Sequence, residues 1–170
     1  LCLAFGVLAG CATREPPPAG TAVAGVPMQC VPFARAVSGV QLQGDAADWW
    51  PQAEGRYRRT RTPAVGSVIV FRRTPRLPHG HVAVVSGVLG ERRILLTHAN
   101  WVRHQISEDV PAIDVSPAND WSLVRVWWPP ANRLGATEYA AAGFVAADAP
   151  PARDEIKANA REVIRIAVRD

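Results

Sequence analysis

Gly80-His81-Val82-Ala83-Val84-Val85-Ser86-Gly87 and Arg93-Ile94-Leu95-Leu96-Thr97-His98-Ala99-Asn100-Trp101 are two β-rich runs separated by a short stretch containing Leu89-Gly90-Glu91. Such a pair reads as an antiparallel hairpin. A turn centred between Leu89 and Gly90 pairs His81 with His98, and a turn centred one residue later pairs it with Asn100. Residues 98 and 100 share a strand face, so either register sets a polar side chain opposite His81. Working outward, Pro63-Ala64-Val65-Gly66 turns into a preceding strand, Ser67-Val68-Ile69-Val70-Phe71.

Further upstream, Gln29-Cys30-Val31-Pro32-Phe33-Ala34-Arg35-Ala36-Val37-Ser38-Gly39 reads as a short helix that begins at Cys30. Pro32 is tolerated only in a first turn, and Gly39 suits the position just past the last turn. A thiol at a helix start faces unpaired N–H groups and the positive end of the macrodipole, which are expected to lower its pKa. Those N–H groups are also suited to hold an oxyanion. Asp45 to Gly55 gives a second short helix, with Asp45 expected as its cap and Trp49 and Trp50 expected in core or cleft wall.

The chain has 170 residues, 48% hydrophobic and 20% charged, which is enough for one domain with a real core and excludes wholesale disorder. No apolar run of about 18 residues lies beyond the extreme N-terminus, so a polytopic membrane protein is excluded. Three cysteines make no disulfide scaffold, and no CxxC pair suggests a zinc ribbon. The net charge is +4, and all basic residues but one are Arg, a composition that gives little reason to expect nucleic acid. Seven of those Arg fall between Arg56 and Arg76 with no acid among them, a stretch that is either solvated or attractive to an acidic polymer.

The ends read differently from the middle. Residues 1–10 resemble the apolar part of a signal peptide closing on a lipobox, Leu8-Ala9-Gly10-Cys11, with Cys11 as the lipidated thiol. Ala12, with no Asp there, resembles the outer-membrane version of the signal. Residues 11–25, with Pro16-Pro17-Pro18, suit a tether. The expected domain spans 26–130, ending at Trp127-Trp128-Pro129-Pro130. Residues 131–170 are expected as an Ala/Pro-rich extension and a surface helix with Ile156, Ala160, Val163, Ile164 and Ala167 on one face. If Cys2 leaves with the signal and Cys11 carries lipid, Cys30 is the one free thiol of an exported, outer-membrane-anchored protein facing the periplasm.

The blocks Gln29 to Arg35, Trp49-Trp50, Pro63 to Phe71, Gly80 to Val85 and His98-Ala99-Asn100-Trp101 together resemble the CHAP family, the cysteine, histidine-dependent amidohydrolases/peptidases. The resemblance spans about residues 26 to 130. It implies an α+β, papain-like and NlpC/P60-like fold, in which an N-terminal helix bearing the cysteine packs on an antiparallel sheet. It also implies cleavage of peptidoglycan amides, with Cys30 as nucleophile and His81 as general base. Many relatives carry Glu where this chain has His98, so either His98 or Asn100 is expected to orient His81. Gln29 and Trp101 are assigned by the same motifs to the oxyanion and substrate side.

The expected chemistry is a thiolate–imidazolium pair attacking an amide, with no metal and no organic cofactor. The expected partners are a peptidoglycan peptide and a membrane reached through the lipid on Cys11, with no nucleic acid. Two other classes compete. A membrane-anchored wall-binding module without catalysis needs no Cys30–His81 pair. A metal-dependent hydrolase would use His79, His81, His98 and His104, which all fall within 26 residues.

Overall fold

The structure is a computed structural model that describes residues 20–169. The lipobox, Cys11 and most of the expected tether lie outside the described residues. The strands are β1 (Thr21–Ala24), β2 (Arg58–Thr60), β3 (Val68–Phe71), β4 (His81–Gly90), β5 (Arg93–Ala99), β6 (Gln105–Asp114), β7 (Leu123–Trp128), β8 (Arg133–Leu134) and β9 (Tyr139–Ala146). Three helices accompany them: α1 (Cys30–Ser38), α2 (Trp49–Gln52) and α3 (Arg153–Ala167).

The expected α+β papain-like fold is not what the chain adopts. Strands pair in the order β6-β5-β4-β3-β9-β7, and β7 pairs back onto β6, so six antiparallel strands close into a barrel. The architecture is mostly β, with three short helices outside it. What overturns the expectation is β9, which inserts between β3 and β7 and seals the sheet. Sequence reading leaves this segment, Tyr-Ala-Ala-Ala-Gly-Phe-Val-Ala, in an extension beyond residue 130, because Ala and Gly are poor strand signals. The domain therefore does not end at the Pro129-Pro130 pair.

Alternation along the strands creates two apolar layers. Ile69, Phe71, Ala83, Val85, Ile94, Leu96, Val110, Val124 and Phe144 fill the barrel interior. Val68, Val70, Val82, Val84 and Val145 point the other way and pack under Phe33, Ala34, Val37, Trp49, Ile156 and Ala160 of the helical coat. Gly143 lets β9 serve both layers. Its φ of +136° accompanies a register shift against β3, and Ala141 and Phe144 both end up inside. A Cβ at 143 would stand 2.7 Å from the Trp50 ring and from the Thr60 carbonyl oxygen.

Helix α3 has the face expected from its spacing, with Ile156 and Ala160 buried and Val163, Ile164 and Ala167 partly so. Asp109 fastens it to the barrel, accepting hydrogen bonds from Ser86 Oγ at 2.7 Å and an Arg153 guanidinium nitrogen at 2.9 Å. Lys157 Nζ adds an ion pair at 3.2 Å.

Candidate active site

The antiparallel order brings the end of β3, the start of β4, the end of β5, the end of β7 and the start of β9 to one rim of the barrel. His81 and His98 lie at this rim and face inward, as do Ala83 and Leu96 behind them. The hairpin turn falls between Glu91 and Arg92, one residue later than the later of the two expected registers. Two one-residue register shifts then restore the pairing, so that the ladder reaches Val84↔Thr97. Continued one step, it sets His98 opposite Ala83, with His81 as its diagonal neighbour on the same face. The rings meet, with His81 Nε2 and His98 Nδ1 3.1 Å apart.

Gly80 makes that placement possible. Its φ is +72°, and a Cβ there would sit 2.6 Å from the Phe71 carbonyl oxygen and 2.7 Å from Ala47. The chain can thus turn tightly into β4 and deliver His81 at the strand's first position. An aromatic wall then holds both imidazoles. Trp101 stacks on His98 with ring centroids 5.6 Å apart and meets His81 edge-on at 4.9 Å. Phe71 and Tyr139 complete the wall, Tyr139 lying 4.9 Å from Trp101. Phe71 closes one of the blocks read from the sequence, whereas Tyr139 carries no motif signal. It sits on the strand that the sequence hides.

Cys30 comes from the other side of the barrel wall, as the first residue of α1. Backbone amides of Val82, Val31 and Cys30 itself lie near its sulfur, which puts the thiol beside the residue that follows His81. No hydrogen bond joins Cys30 to His81. His81 Nε2 is engaged by His98, and Nδ1 is the ring nitrogen outside that contact.

Asn100 takes a different position from the one that orients His81. Its φ is +62°, and its Oδ1 accepts the His104 backbone N–H at 3.0 Å. That contact fixes the amide's direction, since only the oxygen can accept. Nδ2 therefore faces Gln29 and donates to its Oε1 at 2.7 Å. Among the described residues, the amide N–H groups of Gln29 make no hydrogen bond.

The electrostatics differ from the sequence expectation. Burial pushes the Cys30 thiol up, and the nearby amides only partly oppose it. Burial also drives His81 well below the ordinary imidazole value, with His98 adding to the shift. His98 itself is lowered by burial to about 3. A thiolate–imidazolium pair is thus not the resting state; thiol and imidazole are both neutral. The helix start is real, but one dipole end does not outweigh removal of the sulfur from water.

The remaining histidines do not converge on this pair. His79 is exposed and contacts Asp45, with Nδ1 and Oδ2 3.1 Å apart. Among the described residues, no group of three or more His, Cys, Asp or Glu is placed to hold a metal ion. Asp45 does not cap its helix, because its carboxylate is taken by His79 and Arg73. Trp49 is fully buried and Trp50 packs under Arg59, 5.0 Å from its guanidinium carbon.

Residues 21–100 match the model of the CHAP domain. That stretch is similar to a CHAP domain. CHAP domains are generally hydrolases acting on peptidoglycan, and an activity of that amidase or peptidase type is what the match supports. Searches among curated proteins and solved structures return no match. The matched CHAP segment contains α1 and strands β1 to β5, and so Cys30, His81 and His98. Strands β6 to β9, which complete the barrel, lie beyond it.

Proposed function

We propose that this protein is a cysteine-dependent amidase or endopeptidase that cuts an amide bond of peptidoglycan through a thioester on Cys30. The observation that carries this reading is the 3.1 Å contact between His81 Nε2 and His98 Nδ1, which leaves His81 Nδ1 as the base for the adjacent thiol. For Nδ1 to accept a proton, the neutral His81 ring holds its own proton on Nε2 and donates it to His98 Nδ1. His98 then bears its proton on Nε2, a buried atom without a hydrogen-bond partner. An unpaired buried donor costs about 1–3 kcal/mol, a strain accepted in exchange for holding His81 in the reactive tautomer.

The steps follow from the neutral pair. As the substrate amide seats itself, His81 Nδ1 takes the proton of Cys30 while Sγ bonds to the carbonyl carbon. The oxyanion is held by helix-start N–H groups and by the Gln29 amide, which Asn100 aims. The imidazolium gives its proton to the leaving amine, and the C–N bond breaks to leave a thioester. Water, activated by His81, then attacks the thioester and releases the acid and the free thiol. In this scheme His98 positions the base and Asn100 positions the oxyanion donor.

The test is mass spectrometry of purified muropeptides after incubation with the protein. Cys30→Ala and His81→Ala are each expected to cut cleavage by about three orders of magnitude or more, and the double variant by no more than either. Cleavage that survives Cys30→Ala, or is abolished by a chelator instead, would overturn the reading.

A further inference from the structure

Beside the histidine pair, on the same rim, the loop between β3 and β4 and the chain from β7 to β9 enclose an open groove of about 320 Å³. Its walls include Arg76, Trp101, Trp128, Arg133, Thr137 and Tyr139. Trp101 is shared, since the indole that lines the groove is the one packed on His81 and His98. Trp128 is 40% exposed, although it is among the largest apolar side chains of the chain. Among the described residues, neither Arg76 nor Arg133 makes an ion pair, whereas Arg73 on the same loop is held by Asp45 and Asp48. The groove thus offers two uncommitted guanidinium groups and two indole surfaces next to the reacting atoms.

Guanidinium forks recognise planar carboxylates by paired hydrogen bonds, and an exposed indole beside them takes the aliphatic part of a peptide. We propose that this groove is a substrate subsite that binds a free carboxylate of the peptide flanking the scissile amide, with Arg76 and Arg133 as the specificity-determining residues. The proposal rests on the amide-hydrolase reading, for it is the substrate of that site that the groove would select. The position of Trp101 gives it a mechanical consequence. A peptide seated in the groove presses on the indole that holds the histidine pair.

Two peptides that differ only in a free carboxylate or its carboxamide test this. Binding is measured by calorimetry on the Cys30→Ala protein, so that no turnover is needed. The carboxylate peptide is expected to bind at least ten-fold tighter. Arg76→Gln and Arg133→Gln should each erode that preference, and Arg133→Glu should reverse it. Arg58→Gln, on the far rim, should leave it unchanged. Equal binding of the two peptides, or a preference that survives the Arg76→Gln/Arg133→Gln double variant, would overturn the subsite. Cleavage of the same peptides by the unaltered protein reports separately on the hydrolase reading. In kinetics the subsite predicts that the arginine variants raise KM and leave kcat within about two-fold.

Discussion

At the scale of single residues, the proposed site starts from a neutral thiol and a neutral imidazole. The pairing of His81 with a polar residue across the hairpin was legible in strand alternation, and Cys30 was legible as an unpaired thiol at a helix start. The sign of its pKa shift was not, because burial of the sulfur is set by the barrel wall and leaves no trace in local sequence. Alkylation by iodoacetamide is therefore expected to rise with pH through a midpoint above the ordinary thiol value of about 8.5. His98→Glu places a carboxylate beside the His81 ring. It would accept the Nε2 proton, stabilise imidazolium and raise the His81 pKa. The alkylation midpoint should then fall by at least one pH unit. A midpoint that stays put would show that residue 98 does not act on the thiol through His81.

At the scale of elements, helix α1 was readable from Pro32 in its first turn and Gly39 just past its end, and α3 from the helical spacing of its apolar residues. Strands β3, β4 and β5 were readable from β-branched alternation. Two strands that close the barrel were not. In β6, Asp109 with φ of +55° and Pro111 interrupt the alternation. In β9, small residues replace branched ones, and Gly143 slips the register. Gly143 is the position where the price of that slip is largest. Gly143→Ala must move Trp50 or the β2 backbone and hold a Cβ at a φ that L-residues rarely adopt. We expect a loss of about 2–4 kcal/mol from strain and overpacking together, read as a lower denaturant midpoint with an unchanged m-value. Stability within about 0.5 kcal/mol of the parent would mean that β9 tolerates a different register there.

At the scale of the whole molecule, two imidazoles buried in neutral form tie stability to pH. His81 and His98 have folded-state pKa values below the ordinary imidazole value, so the unfolded chain takes up protons that the folded one refuses. The stabilisation is complete above pH of about 6.5 and is lost as pH falls below it, approaching about 1.4 kcal/mol per pH unit for each ring. Denaturant titrations between about pH 6.5 and 5 should show that slope. His98→Gln should roughly halve it. A flat profile would mean that the rings are hydrated in solution. The placement of Cys30 on the helical coat and His81 in the barrel interior carries one more consequence. The proposed nucleophile and its base belong to separate apolar layers, so in that reading reactivity is a property of their docking. A folding intermediate with the barrel formed and α1 undocked would hold a base with nothing to deprotonate. The chain would then remain chemically silent until its last packing step.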